Sequence, residues 1–358
     1  MTGQHRWTVG IVAGTSILGL TVTSVLAMIA HRIVEEFSRP HVALHESDFT
    51  WGMPSLLPEP SGSHQRSLLF RTADNKLLRG DFWAQPKPAP TIILCHGYRV
   101  SRSHLRSVAA REYLCGYNVL FFDFRGHGES ESVTTSGGNA EVYDLEAALF
   151  VASRQPETLP GKIIIHGFSM GASVALLTPP HPNVVAIIAD SPYARSDDIL
   201  RRIVGYRLTQ ESKRWMPLSH QIHHLLPAVA WATVASSAIV FRLRYGFGFV
   251  ARPDTSFKRW KARSKTTKAT SPRHSPPILL IHGAGDMLIP IEHARQIAAE
   301  AKMYDVPLET YFVEDVNVSH CGAYGYNPRQ YNSVLQAFLE RHLGYDFPEE
   351  HRKIDIID

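Results

Sequence analysis

Cysteine is scarce in this chain: three in 358 residues, at 95, 115 and 321, and none in CxxC spacing. A disulfide framework and a cysteine-ligated zinc site are therefore excluded as the organising elements of the fold. An excess of either charge is also missing. With 37 basic and 33 acidic residues the net charge is +4, too mild and too scattered for nucleic acid to be the main partner. No internal repeat is present, which rules out a solenoid or propeller. Charge is absent altogether from Trp7 to Ala30, a run of 24 residues. As a helix it would extend ~36 Å, more than the ~30 Å hydrocarbon core of a bilayer.

That run predicts an N-terminal membrane anchor over residues 1–30. The competing expectation is a cleaved signal peptide, with Arg6 as its basic start and the small residues Val25 and Ala27 before the cut. The anchor is preferred because the apolar run exceeds the usual length of a signal core. Arg6 precedes the run while Arg32 and Arg39 follow it, so positive charge flanks both ends. The expected location is a single-pass membrane protein whose sidedness these flanking charges leave open, with an extracytoplasmic catalytic domain favoured over a cytoplasmic one.

Residues 31–65 hold several prolines and no clear period, and read as a linker. Ser67–Thr72 and Leu77–Ala84 flank the turn-prone Ala73-Asp74-Asn75 and predict a hairpin. Short apolar runs then follow at Thr91–Leu94, Asn118–Phe122, Lys162–Ile165, Val184–Ile188, Ile278–Ile281 and Leu308–Val313. They read as strands buried on both faces. Between them lie helical stripes such as Val142, Leu145, Leu149 and Ala152, and a last one carrying Tyr331, Leu335, Phe338 and Leu339. The alternation predicts an α/β fold, a mostly parallel doubly wound sheet over residues 66–194 and 276–345, with a C-terminal tail over 346–358.

One interval breaks the rhythm. Residues 195–275 exceed what a crossover helix needs and read as a cap inserted between strands six and seven. Within it Leu225–Phe241 is charge-free, while Lys258, Arg259, Lys261, Arg263, Lys265, Lys268 and Arg273 form a basic stretch without an acidic residue. The apolar segment reads as a buried cap helix or as a surface that touches lipid. It does not read as a span, since one crossing would put Asp286 and His320 on the opposite side of the bilayer from Ser169.

The chemistry-bearing motif is Gly167-Phe168-Ser169-Met170-Gly171, between a predicted strand and a predicted helix. In such a turn the serine is forced into a strained backbone, and Gly167 and Gly171 let neighbouring chain pass without a Cβ clash. Serine needs a base to remove its proton. Of 19 histidines, His320 lies between the last strand and the last helix, over the carboxyl edge of the sheet where such folds bind ligands. His166 competes by proximity, but its strand-end position fits support of the elbow. Asp286, ending a strand in Ile281-His282-Gly283-Ala284-Gly285-Asp286, is the expected acid. Asp190 and Asp123 occupy similar strand ends, with Asp123 expected to pair with Arg125. Oxyanion donors are expected at the backbone N–H of Met170 and of Tyr98.

Taken together, His96-Gly97-Tyr98, Asp123 to Ser130, the serine elbow, His282 to Asp286 and His320 resemble the α/β-hydrolase superfamily, from about Ser67 to Leu343. Within it the chain is most similar to the lysophospholipase-like and serine-aminopeptidase-like branch, some of whose members carry a single N-terminal anchor. The resemblance implies hydrolysis of an ester, thioester or amide through an acyl-enzyme, with no metal and no organic cofactor. A carboxylic ester, lipid-like or another acyl ester, is the expected substrate. A peptidase or amidase with the same three residues, and a non-catalytic membrane-bound binding protein, are the rival expectations. Oligomeric state is left open.

Overall fold

The structure is a computed structural model that describes residues 24, 27–40, 57–215, 223–266 and 275–345. The predicted anchor falls outside these except for residue 24 and residues 27–30, as do part of the linker, part of the basic stretch and the tail. The chain divides into two units, one of Met1–Ser38 with Asp197–Val250 and a larger one of Arg39–Ser196 with Ala251–Asp358.

The larger unit is built on eight strands: β1 (Gln65–Arg71), β2 (Leu77–Trp83), β3 (Ala89–Cys95), β4 (Asn118–Phe122), β5 (Thr158–Phe168), β6 (Val184–Asp190), β7 (Ile278–Gly283) and β8 (Leu308–Val313). They form one sheet in the order β1-β2-β4-β3-β5-β6-β7-β8. The first three neighbours pair antiparallel and the remainder parallel. Every residue of β3, β4 and β7 is buried, which is why these strands appear in the sequence as continuous apolar runs rather than alternating ones.

Helices cover the sheet. On one face Ile92, Leu94, Val119, Phe121, Ile164 and Ile188 join a core with Leu105, Val108 and Ala109, and with Tyr331, Leu335, Phe338 and Leu339. These come from the segment leading into and forming α2 (Arg106–Leu114) and from α10 (Pro328–Leu343). Further crossovers are α3 (Glu141–Ala152), α4 (Met170–Leu177) and α8 (Glu292–Met303), with α7 (Ser256–Thr266) and the short α9 (Ala323–Tyr326) completing the unit. The alternation of strand and helix matches the α/β expectation. The fifth strand starts at Thr158, four residues before the predicted Lys162, because Leu159-Pro160-Gly161 looks like a turn yet continues the strand; a register irregularity separates Ala89 and Thr91 on its partner β3.

The smaller unit contains α1 (residues 27–38), most of α5 (Ser196–Trp215) and α6 (Leu226–Tyr245). Its core joins Val34, Leu200, Val204, Ala230, Val234, Phe241 and Phe249. Residues 31–38, expected to belong to a linker, are helical because Val34 and Phe37, three apart, place apolar side chains toward that core.

Candidate active site

β5 ends at Phe168 and α4 begins at Met170, leaving Ser169 alone in the turn with φ 53° and ψ −115°. A non-glycine residue holds such a backbone only when its surroundings over-determine it. Here the Ser169 N–H donates to the Asp190 carbonyl at 2.8 Å, and its carbonyl accepts the first helical bond from Ser173 at 3.0 Å. The two flanking glycines are demanded by close approach. A Cβ on Gly167 would lie 2.5 Å from Gly171, and one on Gly171 would lie 2.2 Å from the Cys95 carbonyl oxygen.

The side chains converge from three strand ends. His320 Nε2 stands 2.9 Å from Ser169 Oγ, and His320 Nδ1 stands 2.6 Å from Asp286 Oδ2. The other oxygen, Oδ1, accepts the N–H groups of Leu288 at 3.0 Å and Ile289 at 2.8 Å, fixing the carboxylate plane. Burial pushes the Asp286 carboxyl up, but His282 and His320 outweigh it and hold the group well below the usual carboxylate range. His282 donates from Nε2 to the Ile289 carbonyl at 2.8 Å while lying 3.4 Å from Asp286 Oδ2. Asp286 therefore stays an anion facing Nδ1, which selects the His320 tautomer whose Nε2 can accept a proton. His320 is 15% exposed, so the base reaches solvent while its acid is sealed off.

Two segments expected to supply oxyanion donors adjoin the serine. Met170 opens α4 and, as its first residue, has no intrahelical acceptor for its N–H. On the other side the Gly97 Cα lies so near Ser169 that a Cβ would sit 3.3 Å from the serine Cβ, which brings the start of the loop after β3 against the serine. His96 holds that loop. Its Nε2 accepts from the Phe124 N–H at 3.0 Å, so Nδ1 carries the proton and donates to the Gly97 carbonyl at 2.7 Å. Burial, reinforced by His127, keeps His96 neutral by pushing its pKa well below the usual range.

Several residues that shape the site carry no sequence signal of that role. Ser191, with φ 55°, accepts the Cys321 N–H at 3.2 Å through its hydroxyl and donates the same hydroxyl to Asp190 Oδ1 at 2.8 Å. Asp190 Oδ2 in turn accepts from the Tyr331 hydroxyl at 3.2 Å, and that hydroxyl lies 3.3 Å from His166 Nε2. The backbone beside His320 is thus tied to the strand that also holds Ser169. His166 and Asp190 fall in this support and do not contact the Ser169 hydroxyl. Asp123 is paired with Arg102, not with its neighbour Arg125 as expected. Arg125 binds Asp74 and Asp144, because its guanidinium and its N–H both meet the Asp144 carboxylate.

Among the described residues no group of three or more His, Cys, Asp or Glu is arranged to hold a metal ion. The arrangement is that of a hydroxyl in line with an imidazole and a buried carboxylate, next to backbone N–H groups, and it can transfer an acyl group.

Comparison with known proteins bears on the family and the fold. The model of the alpha/beta hydrolase family matches residues 92–333. The protein YqkD of Bacillus subtilis (strain 168) is 30% identical over 255 residues, covering 70% of this chain and 71% of its own. Among solved structures, the esterase Pf2001 of Pyrococcus furiosus superposes with a TM-score of 0.57 at 23% identity, covering 82% of this chain and 99% of its own. An acylaminoacyl peptidase of Pyrococcus horikoshii gives 0.51 at 17% identity, with 81% of this chain and 44% of its own. These two likenesses concern the fold alone. Through the family match and its placement on the sheet, the chain belongs to the α/β hydrolase family.

Proposed function

We propose that this protein is a serine hydrolase that cleaves carboxylic esters, lipid-like ones included, through an acyl-enzyme on Ser169. The observation that carries the reading is the unbroken line from Ser169 Oγ to His320 Nε2 at 2.9 Å and from His320 Nδ1 to Asp286 at 2.6 Å. His320 takes the serine proton as Oγ attacks the ester carbonyl. The negative charge on the carbonyl oxygen is met by the N–H of Met170, with that of Tyr98 as the second donor. As the tetrahedral species collapses, His320 returns the proton to the departing alcohol; water then attacks the acyl-serine with the same imidazole as base, releasing the acid. Asp286 stabilises the imidazolium in both halves.

The proposal also keeps the protein tethered to a membrane by residues 1–30, supported by the charge-free run from Trp7 to Ala30. The test is turnover of a chain-length series of p-nitrophenyl esters beside an aminoacyl-anilide, for wild type and Ser169→Ala in detergent. Ester turnover lost in the variant is the expected result. Turnover of the anilide alone would make the protein a peptidase, and failure of a fluorophosphonate to label folded protein would make it a binding protein.

A further inference from the structure

The candidate lies in the smaller unit and makes no use of the active-site reading. α6 is 20 residues long, has a mean hydropathy of 1.5 over its most apolar window, and carries no charge before Arg242. By length and composition it could cross a membrane, yet only 28% of that window is buried. Its packed side is narrow: Ala230, Thr233, Val234, Ser237 and Phe241, at intervals of three and four, are the buried positions. Before Arg242 the remaining surface carries no charge and is largely apolar. Trp231, Ile239 and Leu243 point outward and are 59%, 62% and 83% exposed. An ordinary amphipathic helix would place charge there, so this face calls for an apolar partner.

The same unit indicates which partner. α1 runs on from the charge-free N-terminal segment and packs against the last turns of α6: Val34 shares a core with Phe241, the Phe37 ring lies 4.9 Å from that of Phe249, Arg244 pairs with Glu35, and Ser38 Oγ is 3.3 Å from the Tyr245 hydroxyl. Ala30, the last residue of the run, precedes Glu35 by five residues, a helical rise of ~7.5 Å. The end of α6 is therefore held about 1 nm from where that segment ends. A tryptophan in an apolar face and an arginine at one end, here Trp231 with Arg242, suit the boundary between acyl chains and anionic headgroups.

We propose that the outward face of α6, built from Trp231, Ile239 and Leu243, lies in the interface of a lipid bilayer beside the exit of the N-terminal segment. The bilayer, rather than a second copy of the chain, is the occupant because the tether delivers it to this face. Thr233 and Ser237 turn inward, where each donates its hydroxyl to a helix carbonyl at 2.8 Å, so α6 meets lipid on one side only.

The experiment uses the full chain in phosphatidylcholine–phosphatidylglycerol vesicles, with Cys115→Ala removing the one cysteine that is not buried. A nitrobenzoxadiazole probe is placed singly through Ile239→Cys, Ser16→Cys or Glu314→Cys, the last an exposed position of the larger unit. Spin-labelled lipid is expected to quench the probes at 16 and 239 several-fold, with blue-shifted emission, and to leave 314 unquenched. Quenching at 16 without quenching at 239 would overturn the proposal while leaving the anchor standing. Absence of quenching at both would remove the tether and the proposal with it. Shielding at 239 that grows with protein-to-lipid ratio and ignores the quencher would assign the face to a second copy instead. Ester turnover is measured separately on the same samples, so loss of the hydrolase reading does not touch this result.

Discussion

The functional geometry turns on single protons, and substitution of Asp286 tests this most sharply. Its Oδ1 accepts two backbone N–H groups, so Asp286→Asn keeps its carbonyl oxygen there and turns its amide N–H₂ toward His320. The imidazole must then accept at Nδ1 and carry its hydrogen on Nε2, where it can no longer take the serine proton. Ester kcat should fall about 10⁴-fold while the protein stays folded, measurable by turnover beside circular dichroism. Because the folded Asp286 carboxyl lies below its ordinary range, its contribution to stability is complete above about pH 4 and lost as pH falls through the lower folded value. A second prediction concerns Ser191. Ser191→Ala leaves the Cys321 N–H without its acceptor, which costs about 1–3 kcal/mol in a buried site and frees the residue next to His320. Thermal unfolding should show that loss, and kcat should drop with KM nearly unchanged.

At the level of elements, the strand-to-helix turns are where substitutions differ most. Gly171→Ala would drive a Cβ to 2.2 Å from the Cys95 carbonyl, separating β3 from α4; little soluble protein should be recovered. Gly161→Ala, at φ +68° with nothing within 4 Å of its Cβ, carries only the left-handed backbone cost of about 1–2 kcal/mol, visible as a small fall in Tm. This contrast also explains what the sequence makes legible. Buried strands announce themselves as apolar runs, and Ser169, Asp286 and His320 as residues following such runs, because burial and sheet-edge position are local properties. Ser191 and Tyr331 gave no such sign. The hydrogen bond that gives Ser191 its part spans 130 residues and the Tyr331–Asp190 bond spans 141, so their roles exist only once strand order is known. Asp123 misled for a related reason. Its partner Arg102 lies 21 residues away, in the segment after β3, and meets the carboxylate with both its backbone N–H and its guanidinium.

For the whole molecule, pH response depends on carboxylates the site does not use. Burial, with help from Asp254, raises the Glu300 carboxyl to about 7, and its Oε2 has no hydrogen-bond partner. Folding therefore favours the protonated form, and this group destabilises increasingly as pH rises from its unfolded value near 4.5 toward 7. Glu300→Gln should leave stability unchanged at pH 4 and raise it by about 1 kcal/mol at pH 8, once solvent screening is allowed for. Denaturant midpoints at the two pH values check the difference.

Ser169, Asp286 and His320 follow β5, β7 and β8, and Asp190 ends β6; the four strands are consecutive neighbours in the sheet. The long excursion between β6 and β7 leaves and returns through a ladder that pairs Ile187 with Ile278. Closing a chain twice as long across that ladder costs only ~0.6 kcal/mol, less than the ~0.8 kcal/mol of one buried methylene. The excursion is thus a replaceable attachment on a fixed engine: lineages can lengthen, shorten or exchange it at negligible expense, so inherited variation should accumulate there while the four strand ends stand still.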